Sequence, residues 1–297
     1  MRNSHSIEVK EGANKPMNEN EIKAIVDCMA AGKMAYEVQM VQTRHRIKLV
    51  DFWGIKAESQ ILEIGCGQGD TTAVLAAYAG EKGFVHGIDS ASPEYGSPVS
   101  LGESAEYLNQ SKVGKQIKID FNLDILAEIV EFQENFYDYI VFSHCSWYTK
   151  SSAELLRILE KVKKWGKQLC FAEWNTEINT IEQYPHLLSI LIQAQYEAFK
   201  QESDSNVRTL LTPGDLRDIA EQAGWRIIKD SNIDSPDLQD GLWEIDKVLT
   251  DFNDEIKGIK NLPEKLTDLL QSEVSMLKTV AESTEVKPLS VYSFIAE

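Results

Sequence analysis

The sequence predicts an α/β protein built on a doubly wound, seven-stranded, mostly parallel sheet with helical additions. Three observations carry that expectation: an apolar strand that runs straight into glycines at residues 60–69, strands alternating with helices from residue 60 to residue 174, and an alternating strand, LSVYSFIAE, closing the 297-residue chain. Parallel strands need crossover helices that cover both faces of the sheet, so their own sequences become near-continuous apolar runs.

Ahead of the sheet, Asn18 to Gly54 carries apolar residues at helical spacing, through Ile22, Ile25, Val26 and Met29 and then Tyr36, Met40, Val41 and Leu49. Two short helices are expected there, making residues 1–54 an N-terminal helical cap. QILEIGCG is the first strand, DTTAVLAAYAGEKG a helix closed by Gly83, and FVHGID the second strand, a βαβ unit. The Gly, Ser and Pro-rich loop SASPEYGSP precedes an amphipathic stretch at Leu101 to Val113 and the strand QIKIDF. A further helical segment is expected before the fourth strand, YDYIVFS, followed by the helix SSAELLRILEKVKKWG and the fifth strand, KQLCFAEW. TPGDLRDIAEQAGWRIIKDSNI supplies a Pro-started helix and a sixth strand. Residues 180–205 suggest one long helix, and residues 236–285 hold several more. The expected organisation is a main domain, residues 55–297, with helical insertions at 176–206 and 236–285.

The balance of 47 acidic against 30 basic residues gives a formal net charge of −17. Such a field repels nucleic-acid phosphates, so DNA is not an expected partner and no basic groove is evident to guide RNA. Cys28, Cys66, Cys145 and Cys170 form no CxxC pair, which suggests free thiols in a reducing compartment. The N-terminus lacks the apolar core of a signal peptide and no apolar run is long enough for a membrane span. A cytoplasmic protein without membrane partners is therefore expected.

The stretch ILEIGCGQGDTT, residues 61–72, carries the chemistry. Gly65, Gly67 and Gly69 follow a strand, so a ligand can lie against the backbone at the sheet's C-terminal edge. Asp89 ends the second strand, where a carboxylate can accept both hydroxyls of a ribose. A dinucleotide fingerprint wants G-x-G-x-x-G, whereas this turn is G-x-G-x-G with Asp70 next, a negative charge where a pyrophosphate would sit. That weighs against an NAD-type oxidoreductase. With Glu63 two residues before Gly65, the turn resembles the first motif of the class I S-adenosylmethionine-dependent methyltransferases.

The resemblance covers about residues 55–230 and the last strand, and it implies the Rossmann-like methyltransferase fold with a reversed seventh strand. It also implies S-adenosyl-L-methionine as cofactor and S-adenosyl-L-homocysteine as product. On that resemblance the cofactor residues are Glu63, Gly65, Cys66, Gly67, Gly69, Asp89, Ser90, Asp124, Ile125 and Ser143, with Asp124 and Ile125 near the adenine. Glu63 and Asp70 suit a cationic sulfonium where they would oppose a pyrophosphate.

Methyl transfer is an in-line displacement, so alignment and exclusion of water dominate, and a base is needed only when the nucleophile carries a proton. His144 follows the fourth strand as the candidate general base. Tyr36, Trp147, Tyr148, Glu173 and Trp174 are candidate substrate contacts, Tyr36 from a helix that would cap the site with Gln39, Arg44 and His45. Adjacent His144 and Cys145 lack metal-ligand spacing, so no metal is expected. The expected activity is methylation of a small molecule or small peptide. Protein or RNA methylation and a non-catalytic cofactor-binding module are the alternatives.

Overall fold

The computed structural model describes residues 17–297, and the polar segment at the start of the chain lies outside the described residues. Seven strands form one sheet: β1 (Gln60–Ile64), β2 (Phe84–Ile88), β3 (Ile117–Asp120), β4 (Tyr137–Ser143), β5 (Gly166–Trp174), β6 (Ile227–Ile233) and β7 (Val291–Ala296). Their order is β3-β2-β1-β4-β5-β7-β6. The first five pair in parallel, and β7 runs antiparallel to both β5 and β6. The doubly wound, mostly parallel sheet with a reversed last strand is thus borne out. Strand order reverses between β1 and β4, which opens a crevice beyond their C-terminal ends.

The helices among the described residues are α1 (Glu19–Val26), α2 (Tyr36–Trp53), α3 (Asp70–Ala79), α4 (Leu101–Asn109), α5 (Ser152–Val162), α6 (Tyr184–Glu197), α7 (Pro213–Gln222), α8 (Asp240–Lys257) and α9 (Glu264–Ser283). Local chemistry sets several boundaries. Asn18 with Glu21, Ser100 with Glu103 and Thr212 with Asp215 form capping boxes that satisfy the first amides of α1, α4 and α7. Gly54, at φ 67°, ends α2 in the left-handed conformation that glycine adopts without strain.

Helices α1 to α4 cover one face of the sheet, with Val74, Leu75 and Leu108 packed near Ile61, Val85 and Val141. Helices α5 and α7 cover the other, with Leu155, Leu159 and Leu216 against Leu62, Ile140 and Phe171. A separate apolar cluster joins α6, α8 and α9 through Leu188, Tyr196, Ile245, Phe252, Leu270 and Leu277. Ile245, Val248 and Phe252 fall at i, i+3 and i+7, the buried stripe of the helix.

Three expectations need correction. No helix lies between β3 and β4: Asp124 accepts from the Leu126 amide at 2.8 Å, and successive turns follow. Leu123, Ile125, Leu126, Val130 and Phe132 pack against the second core, more apolar contacts than one helix face would present. The stretch 180–205 is a 3-10 turn at Ile181–Gln183 followed by α6, which stops at Glu197 before the polar run Gln201–Asn206. The second N-terminal helix, α2, is 18 residues long rather than short.

In the sheet interior Phe171 stacks between Phe142 and Phe294, with ring centroids 5.5 and 4.9 Å away. Phe171→Ala should therefore lower stability by about 3–5 kcal/mol in urea unfolding. Ile129, 93% exposed, is the control: Ile129→Ala should shift it by less than about 0.5 kcal/mol. Equal effects at the two positions would contradict the assigned core.

Candidate active site

The chain leaves β1 at Ile64 and turns at Gly65, Gly67 and Gly69, with φ of 70°, 51° and 87°. At Gly65 a Cβ would stand 2.7 Å from Cys145 Cβ, so only glycine lets β1 pass that close to the end of β4. At Gly67 nothing lies within 4 Å of where a Cβ would be, which leaves backbone open to a ligand. The amides of Gly65 and Cys66 donate to Ile88 O, and Cys66 is buried against Gly87. Gly69 then starts α3, whose first residue is Asp70.

The Asp89 carboxylate completes this turn from the end of β2. One oxygen accepts from the Gly67 amide at 2.9 Å and the other from the Ala91 amide at 2.9 Å. A carboxylate has about four acceptor directions, so lone pairs remain for ligand hydroxyls. Ser90, beside it, is exposed. Asp124 is an exposed turn residue and Ile125 is buried in the core under it.

Glu63 is 2% exposed and accepts from Thr72 Oγ1 of α3 at 2.5 Å. Burial pushes its pKa up to about 8, a shift the Thr72 hydroxyl opposes and the Asp70 charge assists. Glu63 thus pins α3 to β1 and carries a proton at neutral pH. At the end of β4, Thr71 donates to Ser143 at 3.4 Å.

His144 follows Ser143 with φ 54°, a left-handed conformation uncommon outside glycine. Its Nε2 lies 2.9 Å from Nε2 of His45 on α2, and His45 Nδ1 lies 2.9 Å from Ser235 Oγ. Nδ1 of His144 is buried without a partner, 3.8 Å from the Glu173 carboxylate. Burial lowers the His144 pKa to about 3, helped by the Arg46 charge, and holds His45 low as well. Both rings are neutral at pH 7. Trp174 sits among three imidazoles, with centroids 4.8 Å from His144, 5.2 Å from His186 and 6.5 Å from His45.

Three of the remaining candidates have evident partners. The buried Glu173 carboxylate, its pKa raised by burial, accepts from the Ser146 hydroxyl and amide and from the Trp174 amide, so it builds the turn after β4. Trp147 is 2% exposed with its indole N–H on Leu211 O, so it is core rather than pocket wall. Tyr148 is half-exposed and donates to Asn206, which in turn donates to Glu244 of α8. Tyr36 lies exposed on the first turn of α2, and Arg44 pairs outward with Glu19. A recess bounded by Lys56, Asp138, Lys167 and Glu297 lies at the opposite sheet edge, away from all these groups.

The roof of the site is α2. Gln39, Gln42, Thr43 and Arg46, at i, i+3, i+4 and i+7, share one side of the helix. Gln39 donates to Asp70 at 2.7 Å and Gln42 to Asp240 of α8 at 2.7 Å. Sequence reading found Gln39 and His45 but missed Thr72, Ser146, Gln42, Arg46 and Ser235. Only the run of polar residues inside an otherwise buried helix signalled some of them.

Glu63 has a checkable pH signature. Its pKa is about 8 in the fold against an ordinary 4.5, so its stabilisation is complete below pH 4.5 and lost as pH rises through 8. Glu63→Gln keeps an acceptor for Thr72 without titrating. Its stability relative to wild type should therefore rise between about pH 5 and 8, by at most about 1.4 kcal/mol per pH unit. Parallel stability curves for the two proteins in that window would refute a buried, protonated Glu63.

A model of the methyltransferase domain family matches residues 35–230. Among solved structures, the cyclopropane-fatty-acyl-phospholipid synthase-like protein of Lactobacillus casei is 30% identical, covering 94% of this chain and 99% of its own, with a TM-score of 0.81. Phosphoethanolamine N-methyltransferase 2 of Haemonchus contortus, in complex with S-adenosyl-L-methionine, is 17% identical over 85% of this chain and 51% of its own. Its TM-score of 0.50 shows a likeness of fold alone. Methyltransferase phomM' of Diaporthe leptostromiformis is 25% identical over 251 residues, 71% of this chain but only 64% of that relative's length. With the family model spanning the chain from α2 into β6, the chain belongs to the methyltransferase domain family of class I, S-adenosylmethionine-dependent enzymes.

Proposed function

We propose that the chain transfers the methyl group of S-adenosyl-L-methionine to a small polar molecule or small peptide by direct in-line displacement. The observation that carries this reading is the polar roof over the glycine turn. Thr43 Oγ1, Arg46 Nε, His144 Nδ1, His186 Nε2 and Gln239 Oε1 are buried side-chain atoms without partners. They belong to α2, the end of β4, the start of α6 and the residue before α8, which the His45–His144, Trp174–His186 and Gln42–Asp240 contacts bring together. Each unpaired buried group is destabilising by about 1–3 kcal/mol, and a polar ligand relieves that. An acyl chain, the chemistry in the Lactobacillus protein's name, would leave them unpaired.

Bound cofactor supplies an electrophilic methyl group on a cationic sulfur. The residues of the chain bind and align: Asp89 for the ribose hydroxyls, the backbone at Gly65 to Gly69 for the chain linking ribose to sulfur, and Ile125 beside the adenine with Asp124. Helix α2 of the cap, the start of α6 and the start of α8 exclude water from the site. Trp174, Tyr148 and Glu173 border the acceptor side.

Where the acceptor carries a proton, His144 Nδ1 is the atom placed to take it. Burial disfavours a charged imidazole there, so the His144 Nε2 proton passes to His45 Nε2, the His45 Nδ1 proton to Ser235 Oγ, and the Ser235 hydroxyl gives up its own proton to bulk water. Both rings then stay neutral throughout. Ser235 also lies 3.3 Å from the Lys48 ammonium, at the outer end of the path.

Isothermal titration calorimetry separates this reading from dinucleotide chemistry. S-adenosyl-L-homocysteine should bind and NAD should not; binding of NAD alone would sink it. Asp89→Ala should weaken S-adenosyl-L-homocysteine by about 1.5–3 kcal/mol, roughly 10- to 150-fold, because both a charged acceptor and the Gly67 tether are lost. Wild-type affinity in that variant would remove Asp89 from the site.

A further inference from the structure

Among the described residues Arg46 has no counter-ion: no carboxylate lies within ion-pair distance of it, although the chain carries a net charge of −17. Only its Nη1 is engaged, by the side chain and carbonyl of Gln42, and its Nε is buried with no partner at all. Gln42 is itself held by Asp240, which fixes the guanidinium from behind. Thr43, three residues earlier and so adjacent on the helix surface, is fully buried, and its Oγ1 is also unpartnered.

The surroundings do not neutralise that charge. Arg46 lies close enough to Glu63 of β1, His144 after β4 and His45 of α2 for its charge to act on all three. Glu63 keeps its proton and both imidazoles are neutral. A guanidinium is charged at any physiological pH and offers five N–H donors in a planar fork that matches a carboxylate. Leaving its buried Nε–H without an acceptor is costly, and a ligand anion removes that cost.

We propose that Arg46 and Thr43 form an anion subsite on α2 that takes a ligand carboxylate, Arg46 Nε–H and Nη–H donating to its two oxygens and the Thr43 hydroxyl to one. The inference rests on the methyltransferase reading and adds a residue that reading does not need. Two carboxylates are chemically equivalent here: that of the cofactor's amino-acid arm and that of a carboxylated methyl acceptor.

Two probes distinguish them. S-adenosyl-L-homocysteine carries the amino-acid arm, whereas 5′-methylthioadenosine shares the adenosine and thioether without it. In 15N-arginine spectra the Arg46 Nε–H signal, assigned by its loss in Arg46→Gln, should move when the anion binds. If the anion is the cofactor's, S-adenosyl-L-homocysteine moves it and 5′-methylthioadenosine does not, and Arg46→Gln weakens the first by about tenfold or more while leaving the second unchanged. If it is the acceptor's, affinity for S-adenosyl-L-homocysteine survives Arg46→Gln, and acetate added to the S-adenosyl-L-homocysteine complex moves the signal. A signal unmoved by all three probes overturns the subsite, as does an Arg46→Gln variant that loses 5′-methylthioadenosine equally, which marks a structural role. Wild-type protein that binds neither nucleoside refutes the methyltransferase reading instead.

Discussion

One hydrogen bond organises the site: the Gly67 amide donating to the Asp89 carboxylate at 2.9 Å. It joins the turn after β1 to the end of β2, the two strands whose parallel register runs from Gln60 opposite Phe84 to Ile64 opposite Ile88. The turn must bend through left-handed glycines to reach that carboxylate, and Gly65 must do so against Cys145 at the end of β4. The ends of three strands are thereby locked into one cradle. Asp89 is held by backbone amides before any ligand arrives, so little side-chain entropy is lost on binding.

The second constraint is dryness. Glu63, His45, His186 and Glu173 are buried and His144 is mostly so, and burial drives each towards its neutral form: the acids hold their protons more tightly and the imidazoles release theirs. The chain's acidity is therefore not the charge of this site. Much of it lies on exposed helical faces, while under α2 the Asp70 and Asp240 carboxylates are held by Gln39 and Gln42 and the Arg46 guanidinium has no ion-pair partner among the described residues. A low-dielectric pocket with few fixed charges strengthens each remaining interaction, which suits a reaction that begins with a cationic cofactor and ends with a neutral one.

The strand, glycine turn and Asp89 were legible because their signal is local: an apolar run, three glycines and an acid at the end of the next strand. The helix caps were legible for the same reason, through pairs such as Ser100 and Glu103. The segment between β3 and β4 was not, because its conformation follows from apolar anchors fitting the sheet face rather than from periodicity. Trp147 and Tyr148 looked alike in sequence, yet one is core and the other half-exposed, a distinction set by Leu211 and Asn206 some 60 residues away. The roof was the least legible part. His45 meets His144 across 99 residues and Gln42 meets Asp240 across 198, contacts that no local pattern encodes.

The central claim is that the turn at residues 65–69, Asp89 and α2 form one cofactor-binding unit. Hydrogen–deuterium exchange of the full chain with and without saturating S-adenosyl-L-homocysteine tests it most directly. The account predicts slower exchange at residues 65–72, 89–91 and 39–46, with α9 unaffected. Unchanged exchange at residues 65–72, or protection confined to the helices distant from the sheet edge, would contradict it.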